Sequence, residues 1–208
     1  YVGTACSFPK QLQVGSDSIL KEQDLFPAEP ESAYGWSKLI GTLEMRYNFK
    51  NKDINSSTLF LHNVYGPHCD YSKSKSQVIP SLIYKVLTEK VDTPLDVWGN
   101  GKQSRAFIHV DDVCNAILKA LEYKDKLPEI IQIGPSSATT IGELAKLIIE
   151  KSAINKKINF DLEKPTGDFG RGCDASKAFE ILSWEEKTKL DEGIGNLIEW
   201  IKKDMESN

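Results

Sequence analysis

The sequence has no Cys-x-x-Cys pair, no long apolar run and no excess of positive charge. Its four cysteines, Cys6, Cys69, Cys114 and Cys173, stand singly along 208 residues. That scatter argues against a zinc site or a disulfide framework and for free thiols, which fits a reducing cytosol. Lysine and arginine number 26 against 30 aspartates and glutamates, a formal charge of −4. A nucleic-acid binder carries a basic stripe, so that partner class is not expected. Small basic sites for a phosphate remain compatible with this balance. No run is long enough to cross a bilayer, and no basic-then-apolar leader ends in a small-residue cleavage site. There is no internal repeat and no low-complexity tract. The length suits one core, or two small lobes sharing one.

What is present is an alternation of short apolar runs and helical stripes. "YVGTACSF" reads as a strand entering a turn, and a long helix is expected from about Ser32 to Lys50. Leu39, Leu43 and Tyr47 recur every four residues on it, on one face. "INSSTLFLHNVYG" reads as a strand, and "SQVIPSLIYKVLTEK" as a helix with an early proline, Pro80. "PLDVWGNGKQSRAFIHV" reads as two short strands around a Gly-Asn-Gly turn. "DDVCNAILKALEY" opens on acids, which suit the positive end of a helix dipole. "EIIQIG" and "KINF" are further strands. Thr140 and Glu143 have capping-box spacing ahead of the stripe Ile141, Leu144, Leu147 and Ile148. "DASKAFEILSW" and "KLDEGIGNLIEWIKKDM" complete the set; Leu190, Ile194, Leu197, Ile198 and Ile201 share a face of the second. Strands alternating with helices predict an α/β fold with a mainly parallel sheet.

Chemistry enters at "SAYGWSK". Tyr34 and Lys38 are one helical turn apart and face the same way. Moving a phenol from a pKa near 10 to about 7 takes roughly 4 kcal/mol of preference for the phenolate. A nearby ammonium in a partly dry site supplies much of that. Such a tyrosine exchanges a proton with a carbonyl or alcohol oxygen while hydride moves at the carbon. The same spacing occurs by chance on many helices, so its neighbours matter. "GTACSFP" ends a strand, where α/β proteins place ligand groups. Thr4 offers a hydroxyl there, and Cys6 follows two residues on, leaning to the same side if the chain stays extended.

With "HNVYGPH", "VWGNGKQSRAFIHVDD" and "KPTGDFGRGCDASKA" added, the chain resembles extended short-chain dehydrogenase/reductases of the NAD-dependent epimerase/dehydratase group from Tyr1 to about Met205. Within that group "TACSFP", "NVYGPH", "SQVIPSLIYK" and "VWGNG" are similar to GDP-L-fucose synthases. "AEPESAYGWSK" and "LHN" are as similar to GDP-mannose 3,5-epimerases. The resemblance implies an enzyme of GDP-linked or other nucleotide sugars that uses NAD or, by the closer likeness, NADP. It makes Tyr34 and Lys38 the proton-transfer pair, with Lys38 also on the nicotinamide ribose. Thr4 stands where the family holds the sugar C4 oxygen. Cys6 stands where epimerising members carry a catalytic cysteine; its other reading is a small buried apolar residue. A thiolate removes protons that a C4 ketone has acidified at C3 and C5.

The resemblance further implies nucleotide contacts for Lys85, Arg105 and Arg171, whose plain reading is surface charge for Lys85 and Arg171. It places Asn63, which also borders the cofactor side, and Leu82 beside the substrate, and Trp98 beside the base. One departure stands out. Where fucose synthases have a histidine acid before "VIP", this chain has Gln77, which transfers no proton at ordinary pH. Lys73 and Lys75 lie in the same loop, near where the mannose epimerases use a lysine. His68 reads as structural. "GDFGRG" follows "LEKPT" rather than a strand, so it reads as a substrate-side loop and not as a dinucleotide fingerprint.

The family's glycine-rich phosphate turn belongs to the first strand-helix unit of its Rossmann fold. This chain begins on a strand that relatives reach only after several such units, a shortfall on the order of 100 residues. The expected architecture is therefore the C-terminal part of a Rossmann-type parallel sheet, residues 1–65 and 106–134, plus a small α/β nucleotide-sugar lobe, residues 66–105 and 135–208. Little adenosine-side contact is expected of this chain alone, and a homodimer through the "YGWSK" helix is the family's usual assembly.

Overall fold

A computed structural model of the chain describes residues 1–51, 56–72 and 76–207. The first half runs β1 (Val2–Thr4), β2 (Ile19–Leu20), α1 (Ala33–Asn51), β3 (Thr58–Leu61), β4 (Asn63–Tyr65) and α2 (Val78–Thr88). Next come β5 (Leu95–Trp98), β6 (Ser104–Arg105), β7 (Phe107–His109), α3 (Val110–Glu122) and β8 (Ile130–Ile133). The chain ends with β9 (Thr139–Thr140), α4 (Ile141–Ser152), β10 (Ile158–Asp161), β11 (Gly170–Cys173), α5 (Ser176–Leu182) and α6 (Leu190–Ser207). The fold is α/β, and among the described residues every strand pair is parallel except β6 with β9.

The order β1-β3-β8 forms one sheet, with Val2 opposite Leu59 and Thr58 opposite Ile130. All four residues of β8 are buried, as in a strand covered on both faces. The expected single strand after Ser57 is two strands. The chain changes partners at His62, whose N–H donates to the Ile133 carbonyl at 3.1 Å. Beyond it, β4 pairs with β7. The pair around Gly-Asn-Gly also differs from a hairpin. Gly99 and Gly101 turn with φ of +75° and +73°, backbone that glycine adopts readily. The arms then separate: β5 pairs with β10, whereas β6 lies between β11 and β9. "GDFGRG" is not wholly a loop either. Gly170–Cys173 is the buried strand β11, held between β2 and β6.

The capping box of α4 forms as expected, Thr140 accepting from the Glu143 N–H and Glu143 from the Thr140 N–H. His109 caps α3, its Nδ1 accepting from the Asp111 N–H at 3.3 Å. Ile194, Leu197, Ile198 and Ile201 bury the inner face of α6 against α2 and α4. Each such side chain contributes about 1.5–3 kcal/mol. A second cluster packs β8 against α3 and α5 around Trp184, and a third surrounds Phe8 and Phe60 beside β1. The stripe expected on α1 does not behave as core. Leu39 is buried, but Leu43 and Tyr47 are 44% and 69% exposed. Periodicity reports a face, and a face can serve an external partner as well as a core. Among the described residues no helix is long and apolar enough to cross a membrane.

Candidate active site

β1 delivers the first groups. After Thr4 the chain does not stay extended but winds into a short 3-10 turn, Ala5–Ser7, and the Cys6 N–H donates to Thr4 Oγ1 at 3.3 Å. The Thr4 hydroxyl thereby accepts one bond and keeps its own proton to donate. The start of α1 presses on this turn. Ser7 Oγ donates to the Gly35 carbonyl at 3.2 Å, and a Cβ on Gly35 would lie 2.3 Å from the Cys6 carbonyl oxygen. Only glycine permits that approach, which is why "AYGWSK" carries one. Gly35→Ala is expected to lower stability by about 1–3 kcal/mol in urea unfolding, because backbone must move. An unchanged midpoint would show that helix and turn are not pressed together.

Tyr34 projects from the first turn of α1 with its side chain exposed. Lys38, one turn on, donates from Nζ to the Val2 carbonyl at 3.2 Å and sits 5.3 Å from the centre of the Tyr1 ring. The ammonium is thus bonded to the strand beside the phenol and not to the phenol itself. Lys38 meets β1 at its first residue, and Gly35, next to Tyr34, meets the turn at Cys6.

A charged cluster closes on Cys6 from β11. Arg171 donates from Nη1 to Cys6 Sγ at 3.1 Å and from Nε to Gln13 Oε1 at 2.5 Å, and forms an ion pair with Asp168. Arg171, Asp168 and Gln13 are all buried. Gln13 is itself fixed, donating from Nε2 to the Phe8 and Pro9 carbonyls. A hydrogen bond to Asp168, then burial, holds the Glu31 carboxyl above the usual range. Burial, reinforced by the like charge of Arg171, brings the Arg105 guanidinium down to about 10.

Arg105 leads to the second feature, a cavity of about 470 Å³. Asn63, Gln77, Leu82, Lys85, Trp98 and Arg105 all line it. Arg171 is not part of that wall. Lys85 donates from Nζ to the Asp96 carbonyl at 3.1 Å, and Arg105 from Nη1 to the Ser104 carbonyl at 2.8 Å. Gln77 sits exposed at the N-cap of α2 without a capping bond. His68 is exposed, with φ of +65°, and its ring packs edge-on against Trp200. Lys73 and Lys75 lie outside the described residues. Among the described residues no group of three or more His, Cys, Asp or Glu is placed to hold a metal ion.

The model of the NAD dependent epimerase/dehydratase family matches residues 1–134. The chain belongs to that family. It is 28% identical to GDP-mannose 3,5-epimerase 1 of Oryza sativa subsp. indica, over 99% of this chain and 53% of that protein. It is 29% identical to a probable GDP-L-fucose synthase 1 of Oryza sativa subsp. japonica, over 96% of this chain and 61% of that protein. Among solved structures, UDP-glucuronic acid 4-epimerase from Bacillus cereus, in complex with UDP-glucuronic acid and NAD, superposes with a TM-score of 0.81 at 26% identity. That match covers 97% of this chain and 60% of the solved one. The chain thus spans between half and two thirds of the length of these epimerase/dehydratase relatives.

Several groups of the candidate site were not marked out by their local sequence. Gln13 meets Arg171 from a separate loop, whereas Asp168 stands three residues before Arg171 within "GDFGRG" and Glu31 within "AEPESAYGWSK". Asp96 had a signal that went unused, since it alternates with Trp98 on β5 and shares its open face. Gln103 lies inside "VWGNGKQSRAFIHVDD", between the turn glycines and Arg105, and nothing local sets it apart.

Proposed function

We propose that this chain carries the sugar-side machinery of a nicotinamide-dependent enzyme that epimerises and reduces a GDP-linked 4-keto sugar. The observation that carries the reading is Arg105. It lines the cavity, its guanidinium feels the charge of Arg171, and Arg171 in turn donates to Cys6 Sγ. One ligand with a nucleotide in the cavity therefore has its sugar beside Cys6 and Thr4. Lys85 and Arg105 supply cationic donors for the diphosphate. Trp98, half exposed on the wall, offers a face for the base.

At the sugar, Thr4 donates its hydroxyl proton to the C4 oxygen and Tyr34 serves as proton donor to the same atom. Cys6 takes a proton from C3 or C5, with Arg171 fixing the position of its sulfur. The electrons of the broken C–H bond move toward the C4 oxygen, where the two hydroxyls meet the growing charge. The residues also suit the nicotinamide-ribose end of NAD, or NADP as the fucose-synthase likeness favours. Lys38 has one hydrogen bond made and donors to spare, beside an exposed Tyr34 at the outer edge of β1. When bound, the nicotinamide supplies the hydride for C4. No glycine-rich turn of this chain serves the adenosine end, so weak binding of NAD(P) by the chain alone goes with this reading. A second copy of the chain suits the exposed Trp36, Ile40, Leu43 and Tyr47 of α1.

Gln77 supports a second reading, C4 reduction without epimerisation, because an amide cannot return the proton to the opposite face. Proton exchange separates the two, and also a binder without chemistry. In heavy water the chain is expected to exchange C3 and C5 protons of a GDP-4-keto-6-deoxy sugar, followed by NMR. Cys6→Ser is expected to slow that exchange by about 10²–10⁴-fold, the usual worth of a positioned base. Absence of exchange in the unaltered chain would leave the reductase or the non-catalytic binder. Exchange that survives the substitution would remove Cys6 from the base role.

A further inference from the structure

The cavity carries two kinds of polar group. Lys85 and Arg105 are donors only, whereas the ionised Asp96 is an acceptor only, and Gln103 braces the wall behind Trp98. Asp96 and Trp98 lie on the same open face of β5, since alternate residues of a strand point the same way. The Asp96 carboxylate is held from its register partner on β10, with Asn159 Nδ2 donating to Oδ1 at 2.7 Å. Its second oxygen makes no hydrogen bond among the described residues. Gln103 is 5% exposed, and its Nε2 donates to the Trp98 carbonyl at 2.8 Å. That bond fixes the amide orientation, and with Oε1 enclosed, Gln103 steadies the end of β5 that carries Trp98.

A diphosphate has only acceptor oxygens and gains nothing from the Asp96 carboxylate. A ligand edge that meets it must bring N–H donors next to an aromatic face. Guanine does so, with N1–H and the 2-amino group side by side. Uracil brings a single N–H flanked by two carbonyls, which a carboxylate repels. Adenine sets a ring-nitrogen acceptor beside its amino group. We infer that Asp96 selects guanine as the base of the bound nucleoside diphosphate, with the ring against Trp98. The inference rests on reading the cavity as the nucleoside-diphosphate site. It assigns the choice of base to the neighbour of Trp98 on the open face of β5, in a family whose relatives are named for both GDP- and UDP-sugars. A carboxylate placed to accept from two N–H groups of one ligand edge rejects an analogue that lacks them.

Calorimetric titration of the chain with GDP, IDP, ADP and UDP tests this. Hydrogen bonds to a charged acceptor are worth about 1.5–3 kcal/mol, so GDP is expected to bind at least about tenfold more tightly than UDP or ADP. IDP, which keeps N1–H and lacks the amino group, falls between. Asp96→Asn is expected to weaken GDP by about tenfold and to leave UDP where it was, which also shows that the variant is folded. Equal affinities for GDP and UDP, ADP matching GDP, or an Asp96→Asn loss shared by all four ligands would overturn the inference alone. No binding of any of the four would bring down the nucleotide-site reading, and this inference with it.

Discussion

Replacing Tyr34 by Phe is expected to slow C3 and C5 proton exchange of a GDP-4-keto sugar by about 10²–10³-fold, the cost of losing one donor from a developing oxyanion. The same change is expected to slow C4 reduction by about 10²–10⁴-fold when the cofactor-binding part of the fold is supplied, because the proton for the new alcohol is lost as well. Gly35 brings the first turn of α1 against the turn that holds Cys6, and Thr4 lies at the base of that turn. In the proposed function, a ketone oxygen bonded to Thr4 is the one that the Tyr34 phenol meets. Lys38→Met separates the two steps. Lys38 bonds to the strand rather than to the phenol. Its loss is therefore expected to depress reduction far more than exchange. Exchange that is normal in Tyr34→Phe would place the phenol away from the C4 oxygen, and the proton-transfer role would have to move to another group.

The alternation of strands and helices was readable because each element buries a face with its own period. The stripe of α6 and the capping box of α4 both appear where their spacing put them. Partnership between strands was not readable. Nothing in "LFLHNVYG" says that the strand changes sheets at His62, since that depends on which neighbour offers hydrogen-bonding groups at each step. The loop expected at "GDFGRG" failed for a related reason. Glycine-rich sequence lowers strand propensity, yet here the glycines let β11 press against the segment that leads into β2. A Cβ on Gly170 would fall 1.6 Å from the Gly15 carbonyl oxygen, and one on Gly172 2.8 Å from that of Ser18. The site divides in the same way. Thr4, Cys6, Tyr34 and Lys38 lie in two short motifs, and the fold sets those motifs side by side. Arg171 was legible as a charge, but its contact with Cys6 joins residues 165 positions apart and belongs to the tertiary structure alone.

His62 links that tertiary structure to pH, and the effect is large. The ring is wholly enclosed between β3 and β4, and its Nε2 shares a 2.9 Å hydrogen bond with Gln132 Oε1. Burial, with a smaller push from the Arg171 charge, brings the imidazole down to about 4 from an ordinary 6.5. The unfolded chain therefore takes up a proton at a higher pH than the folded one. The stability that neutral His62 contributes is complete above pH 6.5 and is lost as pH falls toward 4. A gap of that size corresponds to about 3 kcal/mol. Urea unfolding at pH 7 and again near pH 4.5 is expected to show most of that loss. In His62→Gln, whose amide can still donate to Gln132, the drop over the same interval is expected to be smaller by about that amount, since the carboxylates titrate alike in both proteins. Equal acid sensitivity of the two would mean that the ring keeps an ordinary affinity for protons. A protonated His62 also adds a cation near Arg171, the group that holds Cys6. Exchange at the sugar is therefore expected to weaken in acid before the fold is lost, and to weaken less in His62→Gln.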